Sequence, residues 1–97
     1  MIDLAAVKNE LQITYDDPAV DDRICGIMSR AESHVRELIA AEAVSELTGT
    51  EEQLFLDCCR YIYNGAFEAF DANLLGTINQ CRAKRLAETR QNEANNG

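Results

Sequence analysis

The stretch that decides the fold is "DPAVDDRICGIMSRAESHVRELI", residues 17–39. Its apolar residues recur every three or four positions, which places them on one face of an α-helix. These apolar positions are Val20, Ile24, Ile27, Met28, Ala31, Val35, Leu38 and Ile39. Asp17 is the predicted N-cap, and Pro18 is the first helical residue, where its missing N–H costs nothing. We predict a helix that ends near Glu42–Val44.

Four aspartates surround the only proline of the chain, in "TYDDPAVDDR", residues 14–23. Asp21 and Asp22 fall in the first turn of the predicted helix, where each carboxylate is favoured by about 0.3–1 kcal/mol at the positive end of the helix dipole. A calcium loop would instead need ligands alternating through a loop that contains a glycine and closes with a glutamate. No glycine lies between Asp16 and Asp22. The segment therefore predicts a helix start, with Asp16 alone left without a role in it.

A short helix is predicted before this segment, from Leu4 to about Leu11. Asp3 is its expected N-cap, and Ile2 is placed to form a hydrophobic staple with Val7. Ile13, in the exit from this helix, is expected to point inward.

Two further helices are predicted in the C-terminal half. Gly49 suits a turn with positive φ, and Thr50 with Gln53 predicts a capping box at the start of the third helix. The third helix carries an apolar stripe, widened by further apolar residues on both sides. The stripe is Leu54, Cys58, Tyr61, Ile62, Gly65 and Ala69, and the widening residues are Phe55, Ala66, Phe67 and Phe70. Gly65 within this helix indicates close approach of a neighbour.

The fourth helix is predicted to start at a cap formed by Asp71 or Asn73 and to continue to about Thr89. The whole chain is then a small all-α bundle of about four helices around a long amphipathic one. We expect one domain over residues 1–88 and a polar, mobile tail over residues 89–97.

The composition supports helices and limits the partners. Glycine and proline are scarce, with five and one in 97 residues. The net charge is −8, and residues 1–70 hold 14 acidic and 5 basic side chains. A body this acidic repels phosphate, so specific nucleic-acid binding is not expected. The sequence predicts neither a membrane span nor a signal peptide, and a cytosolic protein is expected.

The sequence offers little that would support catalysis. Cys25, Cys58, Cys59 and Cys81 form no CxxC pair and have no histidine at ligand spacing, which favours free buried thiols over a zinc or redox site. His34, the only histidine, is predicted at the edge of the apolar stripe of the second helix, as a boundary residue rather than a base. No motif for a nucleotide, haem or metal is present. We expect no catalytic residue, no cofactor and no metal, and therefore not an enzyme.

The order of these segments is similar to that of the head–tail connector (adaptor) proteins of tailed bacteriophages. The resemblance covers about residues 1–88 and is carried by "MIDLAAVKNELQI", "DDPAVDDRICGIMSRAESHVREL" and "EEQLFLDCCRYIYNGAF". The family has a short first helix with a Leu-x-Ile exit, aspartates before a long amphipathic helix, and an apolar third helix with a tyrosine near its end. The matching positions are Leu11, Ile13, Asp17, Asp21 and Tyr63.

This resemblance implies a structural protein of the virion neck, made in the host cytoplasm. Family members form a ring, usually a dodecamer, that docks beneath the capsid portal, extends the DNA channel and provides the attachment site for stopper or tail proteins. DNA passes through the lumen without specific binding. The residues expected at the interface between subunits are Arg36, Tyr61, Tyr63, Phe67 and Phe70. Tyr61 and Tyr63 are predicted to face different sides of the third helix, so that one serves the core and the other a partner.

A second surface is expected at the C-terminal end of the fourth helix, where docking to the portal would order the polar tail. Its residues are Arg82, Lys84, Arg85 and Arg90. The alternative for these residues is a solvated helix end whose cations complement the dipole. The alternative for the whole chain is a small acidic regulatory protein that binds and inhibits a host or phage factor. A helical subunit of an enzyme complex and a thiol-based enzyme are less favoured.

Overall fold

A computed structural model of the chain describes residues 3–41, 46–47 and 49–96. Every regular element in these ranges is helical, so the prediction of an all-α fold is confirmed. The elements are α1 (Leu4–Glu10), α2 (Pro18–Ile39), α3 (Thr50–Tyr63), a 3-10 turn (Phe67–Ala69), α4 (Phe70–Asn73) and α5 (Leu75–Asn96).

Both of the first two helices begin where the sequence predicts. Asp3 Oδ1 accepts a hydrogen bond of 2.9 Å from the backbone N–H of Ala6, which caps α1. Asp17 Oδ1 accepts one of 2.9 Å from Ala19, and Pro18 is the first residue of α2. These bonds satisfy backbone donors that have no partner within the helix. Ile2, the predicted staple residue, lies outside the described residues.

The core lies between α2 and α3, and both α1 and α5 pack against these two helices. The apolar stripe of α2 is confirmed, because its central residues are buried and its remaining members are packed against the core. The buried apolar residues are Val7, Ile13, Ile24, Ile27, Ala31, Val35, Ile39, Leu54, Phe55, Cys58, Cys59, Phe70, Ile78 and Cys81. Ile13 points inward as predicted, so the exit from α1 is fastened to the core.

The connection between α2 and α3 differs from the prediction at both ends. α2 ends at Ile39, short of the predicted end, because Ala40 adopts the left-handed conformation with φ 58° and ψ 35°. Gly49 has the expected positive φ of 53°. It is also the residue that precedes α3, so Thr50 is the first helical residue and the predicted capping box is wrong. Gln53 donates instead to Asp57, one turn later in the same helix.

The predicted third helix is interrupted after Tyr63, where α3 ends. Gly65 follows with φ 73°, a conformation that favours glycine, and the 3-10 turn and α4 come next. Gly65 therefore ends a helix, and the prediction that it permits a close helix contact is wrong. A Cβ at this position would meet no atom within 4 Å. Because α4 contains both Asp71 and Asn73, neither residue caps α5, which begins at Leu75 and is helical through Asn96.

Asp16 and Asp21 have a role that the sequence does not reveal. Lys8 Nζ on α1 lies 3.1 Å from Asp16 Oδ1 and 2.9 Å from Asp21 Oδ1. The two carboxylates hold the pKa of Lys8 above its ordinary value of 10.5, the contact with Asp21 being the larger cause. The ammonium group thereby joins α1, the α1–α2 connection and the first turn of α2.

Candidate interaction surface

Two arginines of α2 lie over two aromatic side chains, one at the end of α3 and the other in the 3-10 turn that follows. The guanidinium of Arg23 is 5.3 Å from the ring centroid of Tyr63, and that of Arg30 is 4.3 Å from the ring centroid of Phe67. Both arginines are exposed, whereas both rings are half-buried. We call these four residues the arginine–aromatic surface.

Helix geometry aligns the two arginines. Positions seven apart in an α-helix lie on nearly the same face, about 10.5 Å apart along the axis. The end of α3 and the 3-10 turn run beside this face, so that Tyr63 meets Arg23 and Phe67 meets Arg30. Each contact of this type stabilises an exposed pair by about 0.5–1 kcal/mol. The contacts also restrict two long side chains that would otherwise sample many rotamers.

His34 closes one end of the arginine–aromatic surface. Its Nε2 donates a hydrogen bond of 2.7 Å to Asp71 Oδ1 on α4. Its ring meets Phe67 edge-on, with centroids 4.7 Å apart, and Phe70 at 6.0 Å. The predicted boundary position of His34 is confirmed, since its side chain is 25 % exposed. His34 thereby joins α2 to the 3-10 turn and α4, and holds the Phe67 ring in place.

The interface residues expected from the resemblance separate into surface and interior. Tyr63 and Phe67 lie together on the arginine–aromatic surface. Phe70 is completely buried, so the expectation that it contacts another subunit is wrong for the folded chain. Tyr61 packs edge-on against Phe70 at 5.5 Å, and its hydroxyl accepts a hydrogen bond from Asn73. Arg36 is bound to Glu32, one turn earlier on α2.

The predicted C-terminal docking residues separate in the same way. Arg85 donates two hydrogen bonds of 2.6 Å to the Glu51 carboxylate and one of 2.7 Å to the Glu46 carbonyl oxygen. The side chains of Arg85 and Glu51 are only 18 % and 8 % exposed. Arg85 therefore fixes α5 to the start of α3, and its guanidinium is engaged within the chain. Arg82 and Lys84 are exposed, while the side chain of Arg90 lies outside the described part.

A polar cleft of about 230 Å³ surrounds this ion pair. Its lining is formed by Glu46, Glu51, Lys84, Arg85 and Glu88. The two most buried charged groups in the lining, Glu51 and Arg85, are bound to each other. The cleft is thus occupied by a structural contact between α3 and α5.

The cysteines are free thiols, and three of the four are buried as predicted. Burial is the main cause that raises the pKa of the Cys58 and Cys59 thiols to about 12 and that of Cys81 above its ordinary value. A thiol with a raised pKa is a poor nucleophile at neutral pH. Cys25 is the exception to the prediction, because it lies exposed on α2.

Within residues 3–41, 46–47 and 49–96, no group of three or more histidine, cysteine, aspartate or glutamate side chains is arranged to hold a metal ion. None of the helices in these ranges is both long enough and apolar enough to cross a membrane.

The chemistry of the arginine–aromatic surface suits the recognition of carboxylates. A guanidinium carries five N–H donors in a planar fork that fits a carboxylate, while its face stacks on an aromatic ring. The arginine ion pairs found in the described part of the chain involve Arg36, Arg60 and Arg85. The donors of Arg23 and Arg30 are left to solvent or to a partner.

Sequence reasoning missed Arg23 and Arg30. The available signal was their spacing of seven along the edge of the α2 stripe, opposite two aromatics spaced by four. Comparisons with protein-family models, with curated proteins and with solved structures found no match to this chain.

Proposed function

We propose that this chain is a structural head–tail connector protein of a tailed bacteriophage. In this proposal its copies assemble into a ring beneath the capsid portal, extend the DNA channel and provide the attachment site for stopper or tail proteins. The observation that carries the proposal is the order of the elements. The buried Ile13 closes the exit of a short α1, Asp17 caps a long α2, and α3 ends at Tyr63. The resembling family has the same order of features.

The arginine–aromatic surface supports assembly with other chains. Arginine and tyrosine are enriched among the residues that dominate binding energy at protein interfaces. Here both occur together, with the aromatic rings half-buried and the guanidinium groups exposed above them. Such pre-ordered side chains lose less conformational entropy when a partner binds.

The charge distribution fits a channel through which DNA slides. With 14 acidic and 5 basic side chains, residues 1–70 have a net charge of −9. Contacts that neutralise phosphate would hold DNA and release its counterions, whereas an acidic wall would not. A ring whose channel wall is strongly basic would contradict this part of the proposal.

Three cations of α5 form the proposed portal-docking group. Arg82 and Lys84 belong to it, together with Arg90, while Arg85 is excluded by its bond to Glu51. Residues 89–97 are proposed to contribute further contacts to the portal, since α5 continues through Asn96.

The test is co-sedimentation of the purified chain with the portal protein of the same phage, followed by negative-stain imaging. Co-sedimentation with rings on the portal is the expected result. A deletion of residues 89–97 and an Arg82→Glu/Lys84→Glu variant are each expected to weaken binding to the portal. The control is Glu37→Gln, at an exposed position of α2, which is expected to bind normally. A chain that fails to sediment with the portal contradicts the proposal. Monomers or dimers that bind another factor would favour the acidic regulatory protein.

A further inference from the structure

A second surface of the molecule has the opposite chemistry to the arginine–aromatic surface. Tyr15 is 56 % exposed, and Asp16 beside it has a fully exposed side chain. Asp17 and Asp22 are exposed as well. We call residues 14–22 the Tyr15 segment. It presents one aromatic ring among carboxylates, on a connection that Lys8 and the buried Ile13 hold in place.

Within one chain, Tyr15 makes no ring contact with the arginine–aromatic surface. Arg23 contacts the Tyr63 ring, and Arg30 and His34 contact the Phe67 ring. None of the ring contacts or arginine–ring contacts among the described residues involves Tyr15. Both surfaces are therefore available to other molecules at the same time.

We infer that the Tyr15 segment of one copy docks on the arginine–aromatic surface of the next copy in the ring. The Tyr15 ring lies against the Tyr63 and Phe67 rings, while the segment's carboxylates accept hydrogen bonds from the Arg23 and Arg30 guanidinium groups. The inference rests on the proposed ring and names the contact that builds it. The charge complementarity is specific, because the acidic segment repels other acidic surfaces and the arginines repel each other.

This contact is heterologous, since each copy offers one surface to one neighbour and the other surface to another. Repetition of such a contact gives a ring when the rotation closes, whereas a self-complementary contact would stop at a dimer. The inference therefore predicts a particular result when two defective chains are mixed.

The experiment uses two variants of the full chain. The first is Arg23→Glu/Arg30→Glu, which reverses the charge of the arginine–aromatic surface. The second is Tyr15→Ala/Asp22→Lys, which removes the aromatic ring of the Tyr15 segment and reverses one of its charges. Sedimentation velocity and native mass spectrometry at high protein concentration are expected to show rings or chains of copies for the unchanged protein. Each variant alone is expected to be monomeric, with association weakened on the order of 100-fold.

The mixture of the two variants is the decisive sample. Each variant retains one intact surface, so an equimolar mixture is expected to form a dimer with one copy of each and no larger species. Gln80→Glu, which adds a charge at an exposed position of α5, is the control and is expected to assemble normally. The milder Arg23→Gln/Arg30→Gln variant, with circular dichroism of all samples, separates lost contact from lost folding.

Two results would overturn this inference while leaving the connector proposal to its own test on the portal. One is normal assembly of either variant, and the other is an unchanged protein that stays monomeric at every concentration. A third result is retardation of duplex DNA by the unchanged protein that disappears in Arg23→Glu/Arg30→Glu. That result would assign the arginines to phosphate and also overturn the inference.

Discussion

Replacing Arg85 with alanine should destabilise the fold strongly, although Arg85 is one of four basic residues in α5. Glu51 would keep a carboxylate that is 8 % exposed and lose two hydrogen bonds of 2.6 Å. Breaking a buried ion pair by removing one partner costs about 3–5 kcal/mol. Because Glu51 lies in the first turn of α3, the helix dipole stabilises its carboxylate by about 0.3–1 kcal/mol, which offsets part of that cost. We expect a loss of about 2–4 kcal/mol in the free energy of unfolding.

Thermal and urea unfolding followed by circular dichroism measure this loss. For a domain of this length, each kcal/mol shifts Tm by roughly 4–8 °C, so Arg85→Ala should lower Tm by about 8–32 °C. Arg85→Lys keeps the positive charge but loses the bidentate geometry. Its Tm should therefore lie between those of the unchanged protein and Arg85→Ala. Arg82→Ala, on the exposed side of the same helix, is the control and should change stability by no more than about 0.5 kcal/mol.

Equal stability of Arg85→Ala and Arg82→Ala would refute the reasoning, because it would mean that the pair adds nothing to the α3–α5 contact. The double-mutant cycle of Arg85→Ala with Glu51→Gln gives a second check. Its coupling energy should exceed about 1 kcal/mol, as expected for residues in direct contact. The result also governs the portal assay, since a loss of binding by an Arg85 variant would report lost folding rather than lost docking.

Four further predictions concern the backbone and the thiols. Gly26→Ala should stabilise α2 by up to about 1 kcal/mol, because Gly26 is exposed in mid-helix and a Cβ there meets nothing. Gly65→Ala should destabilise the protein by about 1 kcal/mol, because φ is 73° at this position, although a Cβ there also meets no atom. Thermal unfolding should therefore show a raised Tm for Gly26→Ala and a lowered Tm for Gly65→Ala. A maleimide reagent should label Cys25 alone in the native state and all four thiols in urea, as mass spectrometry would show; labelling of Cys58 before unfolding would contradict the buried core. Stability should fall between pH 9 and about 12, since the thiols of Cys58 and Cys59 ionise near 9 when unfolded and near 12 when folded. The free energy of unfolding, measured by urea titration at several pH values, should fall less steeply with pH for Cys59→Ala than for the unchanged protein. The difference in slope should be at most about 1.4 kcal/mol per pH unit, and an unchanged slope would contradict the raised pKa of Cys59.

The helix starts and the α2 stripe were predictable because their signals are local. Asp17 and Pro18 specify a helix start within two residues, and apolar spacing of three and four identifies a buried face without knowledge of its partner. The end of α2 carries no such signal. Ala40 adopts a left-handed conformation that its residue type does not favour, so the turn is imposed by packing rather than by local preference.

The break after α3 was not predicted. The apolar run continues through Phe67 to Phe70, which favours one long helix over a helix that ends before Gly65. Both patterns place apolar residues toward the core, so periodicity alone does not separate them. The structure shows that Gly65 supplies the positive φ that turns the chain into the 3-10 segment and brings Phe70 back into the core.

The candidate surface depends on contacts between distant parts of the sequence, which explains why the sequence revealed only half of it. Tyr63 and Phe67 were expected at an interface, but the arginines above them lie about 40 residues earlier. The Arg85–Glu51 pair spans 34 positions. Before the packing of α5 on α3 is known, Arg85 is indistinguishable from the exposed Arg82 nearby. Its exclusion from the docking group is therefore a result of the fold.

Electron cryo-microscopy of this chain mixed with a bacteriophage portal protein tests most directly whether it builds the proposed ring. We predict a closed ring of copies on the portal, in which Tyr15 of each copy contacts Tyr63 and Phe67 of its neighbour. Single copies that leave the portal bare, under conditions where both proteins are folded, would contradict a connector function.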